Sequence, residues 1–387
     1  MESIKYIYLY DRNEVLLERY PSWISQILHR ELKEKIAFVF IYSEQLRKGD
    51  KPQNLPDNSV VIFQPFLNLR FLEKLVAQYR PVAYMSIGLR IPDILLLAYF
   101  NGLNVPTYMV QHGIFVKQLS RVGFVQHFAN NFNQFKKYFI YSLSISKMIG
   151  MPFHRCLKEF YAFYIKGTKK FNEMNMPKDA NLLSREVFCF DSSWDTYYIE
   201  NYGYLKHQLI YFGNPDYTLA KECLANPLED AICYISQSLV EDGRYLNKDL
   251  QSFLYEMKKN LKGEKVYIKL HPRSNVEIYK HLEDENFLMT TSFKNCTTYL
   301  GHYSSLLEVS SQLGRNVVLW QLEGHDIPES YVKYGDLITS DWEEVKFFLE
   351  VNRTFDFKMK NKLKKFLNMT LEPFEVIAKK VINDLKS

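Results

Sequence analysis

A repeated alternation constrains this chain more than any single residue does. Short apolar runs take turns with segments of helical period along nearly its whole length. In the first part the strand-like runs are Ile4–Tyr10, Ile36–Tyr42, Val60–Phe63, Val82–Ser86 and Pro106–Val110. Ser22–Glu34, Leu69–Tyr79 and Pro92–Asn101 lie between them with helical spacing. Pro92 suits a first helical turn, and Gly102 suits a helix end. Val187–Phe190 and Leu209–Phe212 add two more runs, with a helical stretch to Tyr204 between them. The second half repeats the theme. Its strand candidates are Ala231–Ile235, Lys265–Leu270, Phe287–Met289, Thr297–Leu300, Asn316–Gln321 and Leu337–Thr339. Its helix candidates are Lys248–Leu261, Val276–Leu282, Leu306–Leu313 and Trp342–Val351. Alternation of this kind builds βαβ units whose strands pair in parallel, so the fold class is α/β. A length of 387 residues accommodates two such domains. We expect Rossmann-like domains over 1–212 and 213–387, with a linker from the turn Gly213-Asn214-Pro215 to about Asp230. The lysine-rich amphipathic tail, Phe357–Ser387, then gives the second domain a C-terminal helix.

Composition narrows the function classes. The net charge of +5 fits an anionic substrate or a nearby anionic surface, and no nucleic-acid-binding motif accompanies it. The five cysteines are scattered without a Cys-x-x-Cys pair, which speaks against a zinc knuckle or a disulfide framework and for a reducing, cytoplasmic setting. Neither a signal peptide nor a membrane-spanning run is expected from the pattern. The chain holds 28 Tyr and 28 Phe. From about 122 to 170 they recur at helical spacing (Phe124, Phe128, Phe132, Phe135, Phe139), interleaved with lysine and arginine. Two readings stand: a core stripe on helices packed against the first domain, or a basic aromatic surface that rests on the inner face of a membrane or grips a lipid-linked acceptor.

Chemistry concentrates at strand ends, which is where open α/β sheets bind ligands. Lys269-Leu270-His271-Pro272 closes one apolar run, and a histidine there can donate to a phosphate oxygen as negative charge develops on it. The alternative is a histidine satisfied by backbone. Ser236-Gln237-Ser238 follows an earlier run and leads to Glu241-Asp242-Gly243, where adjacent carboxylates could supply a general base or form a solvated loop. Gly301-His302-Tyr303-Ser304-Ser305 precedes a helix, where hydroxyls and free N–H groups make an anion site or simply a cap. In the first domain Gln111-His112-Gly113 ends a strand, so His112 either faces a ligand or bonds a carbonyl. We find no P-loop, dinucleotide fingerprint, serine elbow or acidic metal clamp, and we expect neither a metal nor a cofactor.

The order of these knots resembles the bacterial sialyltransferases and polysialyltransferases of the GT-B type. Those families carry a two-acid-glycine motif, then His-Pro, then Ser-Ser or Ser-Thr, here Glu241-Asp242-Gly243, His271-Pro272 and Ser304-Ser305. The resemblance implies a GT-B fold, two Rossmann-like domains with a cleft between them. It also implies a CMP-activated nonulosonic sugar as donor and a glycan or lipid-linked glycan as acceptor. Glu241 then looks like the base, His271 like the residue that assists the departing phosphate, and Ser304 and Ser305 like further phosphate contacts. Ser236, Gln237, Ser238, Lys269, Pro272 and His302 complete the expected nucleotide and phosphate surroundings. Gln111-His112-Gly113, Gly213-Asn214-Pro215, the Lys-x-His-Pro run and Tyr303-Ser304-Ser305 also resemble the capsule and teichoic-acid transferases, which use CDP-glycerol or related donors. In those a histidine of the first domain looks like the base, so Glu241, Asp242 and His112 compete for one role. A non-catalytic glycan-assembly subunit built on the same fold is the remaining alternative.

Overall fold

The computed structural model of the chain describes residues 4–32, 35–45, 52–112, 124–177, 180–241, 245–324, 326–327, 329–352 and 372–386. They form two compact units. One holds the described residues to His112, Asn131–Asn214 and the C-terminal helix, and the other holds Phe124–Asn130 and the described residues from Pro215 to Asn352.

The first unit is built on a parallel sheet of β1 (Lys5–Asn13), β2 (Ile36–Glu44), β3 (Ser59–Phe63), β4 (Pro81–Ser86), β5 (Thr107–Val110), β6 (Glu186–Cys189) and β7 (Leu209–Tyr211), in the order β3-β2-β1-β4-β5-β6-β7. Its central strands are buried on both faces, which is why they read as continuous apolar runs. Helices α1 (Glu14–Leu17), α2 (Tyr20–Leu32), α3 (Leu69–Gln78), α4 (Ile91–Gly102), α5 (Phe124–Met148), α6 (Phe153–Phe160) and α7 (Asp195–Tyr202) connect them. α4 is apolar around most of its circumference because it lies inside the unit, with Phe100 stacked on Tyr84 at 4.7 Å.

The second unit repeats the design with β8 (Glu229–Ile235), β9 (Val266–Lys269), β10 (Phe287–Thr290), β11 (Cys296–Gly301), β12 (Asn316–Trp320) and β13 (Leu337–Thr339), all parallel, in the order β10-β9-β8-β11-β12-β13. Its helices are α8 (Tyr217–Leu224), α9 (Asn247–Asn260), α10 (Ser305–Gln312), α11 (Glu329–Val332) and α12 (Trp342–Asn352). Counted from its own first strand, the second sheet follows the doubly wound order 3-2-1-4-5-6, and the first follows the same order with a seventh strand added at the end. The two units are therefore both Rossmann-like.

Three expectations need correction. The stretch from Gly213 to Asp230 is not a linker: it contains α8, whose Ala220 and Cys223 are buried in the second core. Turn signals on both sides, Asn214-Pro215 and Asn226-Pro227, masked so short a helix. Val276–Leu282 forms two 3₁₀ turns instead of an α-helix, since a stretch this short scarcely offsets the cost of nucleation. The C-terminal helix, Pro373–Lys386, belongs to the first unit. Its apolar stripe, Phe374, Ile377, Ala378 and Val381, is buried there, and Phe374 meets Tyr20 at 5.2 Å and Phe212 at 6.4 Å. Tyr108 donates to Asp384 at 2.6 Å, and Lys380 pairs with Glu186 at 2.8 Å.

The aromatic segment divides. Tyr141, Ile145, Cys156 and Phe160 are core residues, and the Tyr164 hydroxyl donates to the Leu89 carbonyl, while Phe139 and Tyr161 keep exposed rings. The side chains of Phe124, Phe128, Phe132 and Phe135 lie outside the described residues. All five cysteines are buried free thiols. Among the described residues, no helix is long and apolar enough to cross a membrane.

Candidate functional site

In the second unit, three sequence motifs leave the sheet at one level. Ile235 pairs in register with Lys269 on one side and with Gly301 on the other. The residues that follow, Ser236, Leu270-His271 and His302, therefore emerge side by side at the carboxyl edge. β8 and β11 flank the point where the strand order reverses, the usual ligand position in a doubly wound sheet.

The first two motifs are tied together. The His271 amide donates to Ser236 Oγ at 3.1 Å, and the Ser236 amide to the Lys269 carbonyl at 3.0 Å. The Arg273 guanidinium donates to Ser238 Oγ at 3.1 Å. The Asn275 amide donates to Glu241 Oε1 at 2.5 Å. Glu241, expected as a base, thus uses its carboxylate to hold the loop after His271. Lys269 Nζ turns back to the Leu270 carbonyl at 3.0 Å, Pro272 is exposed, and Gln237 buries its Oε1 without a hydrogen-bond partner among the described residues. Asp242 lies outside the described residues. Arg273 escaped the sequence reading, although it directly follows His271-Pro272 and carries the planar guanidinium that suits phosphate geometry.

The third motif separates into two roles. His302 is a core residue, 1% exposed. Its Nε2 lies 3.0 Å from the Tyr234 hydroxyl and its Nδ1 3.1 Å from the Trp320 carbonyl, with Phe253 edge-on at 5.0 Å. A phosphate contact by His302 is therefore not what this geometry provides: both nitrogens already serve the interior. Ser304 caps α10, its Oγ accepting the Leu306 amide at 3.3 Å, and Ser305 donates to Asp216, at the head of α8. Gly301 lets these pieces close up, since a Cβ there would sit 3.0 Å from Leu307 Cδ1 and 3.3 Å from the Ile235 carbonyl oxygen.

In the first unit, Gln111 is a framework residue. It is fully buried, and its Oε1 accepts the Phe190 amide at 3.0 Å, which joins the ends of β5 and β6. His112 follows at the carboxyl edge, where Tyr20 meets it edge-on at 5.1 Å. The switch point of this sheet, between β1 and β4, carries a cluster the sequence reading missed. Arg90 donates to Asp11 Oδ1 at 3.0 Å through Nη1 and to Asp93 Oδ2 at 2.7 Å through Nε, while Nη2 reaches the Ile87 carbonyl at 3.1 Å. Both carboxylates are buried. Burial pushes the Asp93 carboxyl up to about 6 against the pull of Arg90, and raises Asp11 in the same way. Burial also works against ionised Glu44 at the end of β2, but Arg12 and Lys137 outweigh it and hold that carboxyl below its ordinary range. The available sequence signal was an acidic residue closing β1 and an Arg-x-x-Asp at the head of α4.

No protein-family profile matches the chain, and no curated protein sequence does. Solved structures share its fold at low identity. The wall teichoic acid polymerase TagF, in a histidine-to-asparagine variant soaked with CDPG, is 12% identical over 99% of this chain and 89% of its own, with a TM-score of 0.51. The UDP-GlcNAc 2-epimerase of Methanocaldococcus jannaschii, in complex with UDP-GlcNAc and UDP, is 11% identical over 98% of this chain and 100% of its own, with a TM-score of 0.53. Phytolacca americana UGT2, complexed with UDP-2fluoro-glucose and pterostilbene, is 11% identical over 99% of this chain and 100% of its own, with a TM-score of 0.51. The chain has the GT-B fold, with two Rossmann-like domains.

Proposed function

We propose that the chain is an inverting glycosyltransferase that takes a nonulosonic, sialic-acid-like sugar from a CMP donor and transfers it to a hydroxyl of a surface glycan or its lipid-linked precursor. The observation that carries this reading is the shared level of Ile235, Lys269 and Gly301, which gathers Ser236, Ser238, His271, Arg273 and the Ser304 cap at one sheet edge. That edge offers hydroxyl, imidazole and guanidinium groups to an anionic leaving group. His271 and Arg273 would stabilise the departing phosphate as the acceptor oxygen attacks the anomeric carbon. Three groups compete for the role of base: Glu241, whose Oε1 accepts the Asn275 amide while its second oxygen carries further lone pairs, Asp242 and His112. Neither a metal nor a cofactor is invoked, and contact with the inner face of the cytoplasmic membrane belongs to this reading only as the place where the acceptor would be met.

A second reading is favoured by one observation. A teichoic acid polymerase soaked with CDPG is among the structures that share the fold, and a CDP-polyol donor would present a similar cytidine phosphate to the same edge. The test is a thermal-shift screen across CMP, CDP, UMP and UDP, since a ligand of the folded state raises the melting temperature according to its affinity. Stabilisation by CMP or CDP, with CMP release from a CMP-sugar, is the expected result. Release of CMP from CDP-glycerol but from no CMP-sugar selects the polyol-phosphate reading. Stabilisation by uridine nucleotides alone rejects both.

A further inference from the structure

The loop after β9 fixes the protonation form of its own histidine. The Arg273 main-chain amide donates to His271 Nδ1 at 3.1 Å. A peptide N–H can only donate, so the nitrogen that receives it must carry a lone pair. Nδ1 is therefore unprotonated, and the ring proton of the neutral imidazole sits on Nε2. The rest of the loop holds this arrangement from both sides. The His271 carbonyl accepts the Ser274 amide at 2.8 Å, which closes the turn. Ser236 fixes the His271 amide, Ser238 the Arg273 guanidinium and Glu241 the Asn275 amide, all from the neighbouring loop.

We infer that His271 serves the donor phosphate as a neutral Nε2–H hydrogen-bond donor, set in that tautomer by Arg273, whose side chain supplies the positive charge. This inference rests on reading the edge as the donor-phosphate site. Arg273 thereby has two tasks: its amide orients the imidazole, and its guanidinium neutralises the phosphate. Glu241 is a positioning residue that keeps the loop seated. Proton transfer by His271 is not part of this arrangement, because a proton added at Nδ1 would displace the Arg273 amide.

Two measurements on the full chain test it. In protein labelled with ¹⁵N-histidine, the His271 signals, assigned by their absence in His271→Gln, should report protonated Nε2 and unprotonated Nδ1 at pH 7.5. An imidazolium, or the Nδ1–H tautomer, overturns the inference. Arg273→Lys keeps the amide and should preserve the pattern, whereas Arg273→Pro removes the donor and should mix the tautomers. The second measurement is CDP and CMP affinity. A carboxamide can offer an N–H near the place of Nε2 but cannot shuttle a proton. His271→Ala should weaken binding by about 10–100-fold, the usual effect of losing a hydrogen bond to a charged group, and His271→Gln by far less. Equal losses in the two variants overturn the inference. If wild-type protein binds neither nucleotide, the donor reading falls, and with it the phosphate role of His271. The nitrogen spectrum still decides the tautomer.

Discussion

At the scale of residues, similar side chains receive different work from their surroundings. His271 and His302 each follow a strand end, yet one lies on an edge loop and the other supports the core between Tyr234 and Trp320. Nothing in the residue type separates them; the direction of the side chain at the strand end does. Carboxylates divide in the same way. Burial raises Asp93 from the ordinary 3.8 to about 6, whereas Arg12 and Lys137 lower Glu44 despite its burial. The sign of the resulting pH dependence follows. For Asp93 the folded state binds the proton more tightly than the unfolded chain does. Its contribution to stability is therefore complete below about pH 4 and is lost as pH rises through about 6. We expect urea unfolding at pH 4 and pH 7.5 to show a steeper loss of stability with rising pH in the wild type than in Asp93→Asn, which keeps only the smaller contribution of Asp11. An unchanged slope would refute the assignment. Glu44 runs the other way, with stability present above its ordinary range and lost on acidification.

At the scale of elements, loops and caps decide which motif residues remain at the edge. Ser304 caps α10 through the Leu306 amide, and Ser305 ties the start of that helix to Asp216. Ser304→Ala is expected to destabilise the second unit by about 1 kcal/mol, the typical cost of losing such a cap, measurable by denaturant unfolding without nucleotide. A phosphate contact by the same hydroxyl would add a separate loss of CDP affinity, so the two measurements divide structural from binding work. Strand periods were legible in the sequence because a doubly wound sheet is buried on both faces and its strands become unbroken apolar runs. α8 was not legible, since a short helix bounded by Pro215 and Pro227 carries too few periodic residues to stand out. The latch from Glu241 to Asn275 was also invisible: it joins a side chain to a main-chain amide in another loop, and no residue pattern encodes that.

At the scale of the whole molecule, the chain makes two doubly wound units and returns its last helix to the first of them. Phe374, Ile377, Ala378 and Val381 cover an apolar surface beside α2, and Lys380 and Asp384 add polar ties to Glu186 and Tyr108. Removing Pro373–Lys386 should lower the melting temperature of the first unit and leave the nucleotide response of the second intact, as calorimetry with CDP would report. An unchanged melting profile would mean that the helix contributes little to that unit. The apolar stripe of the helix could be read in advance, but not the surface it would cover.

The sequence by itself determined the class and count of the sheets, because hydrophobic periodicity is a local property and parallel, doubly covered strands imprint it strongly. It also showed which strand ends carry hydroxyl and imidazole side chains, since Ser236, His271 and Ser304 can be found by inspection. Tertiary structure alone decided three things: that Ile235, Lys269 and Gly301 share one level, that His302 turns inward, and that Arg90 holds two buried carboxylates at the first switch point. Register, side-chain direction and charge pairing arise from contacts between residues far apart in the chain. A one-dimensional pattern holds the partners, but only the folded chain pairs them.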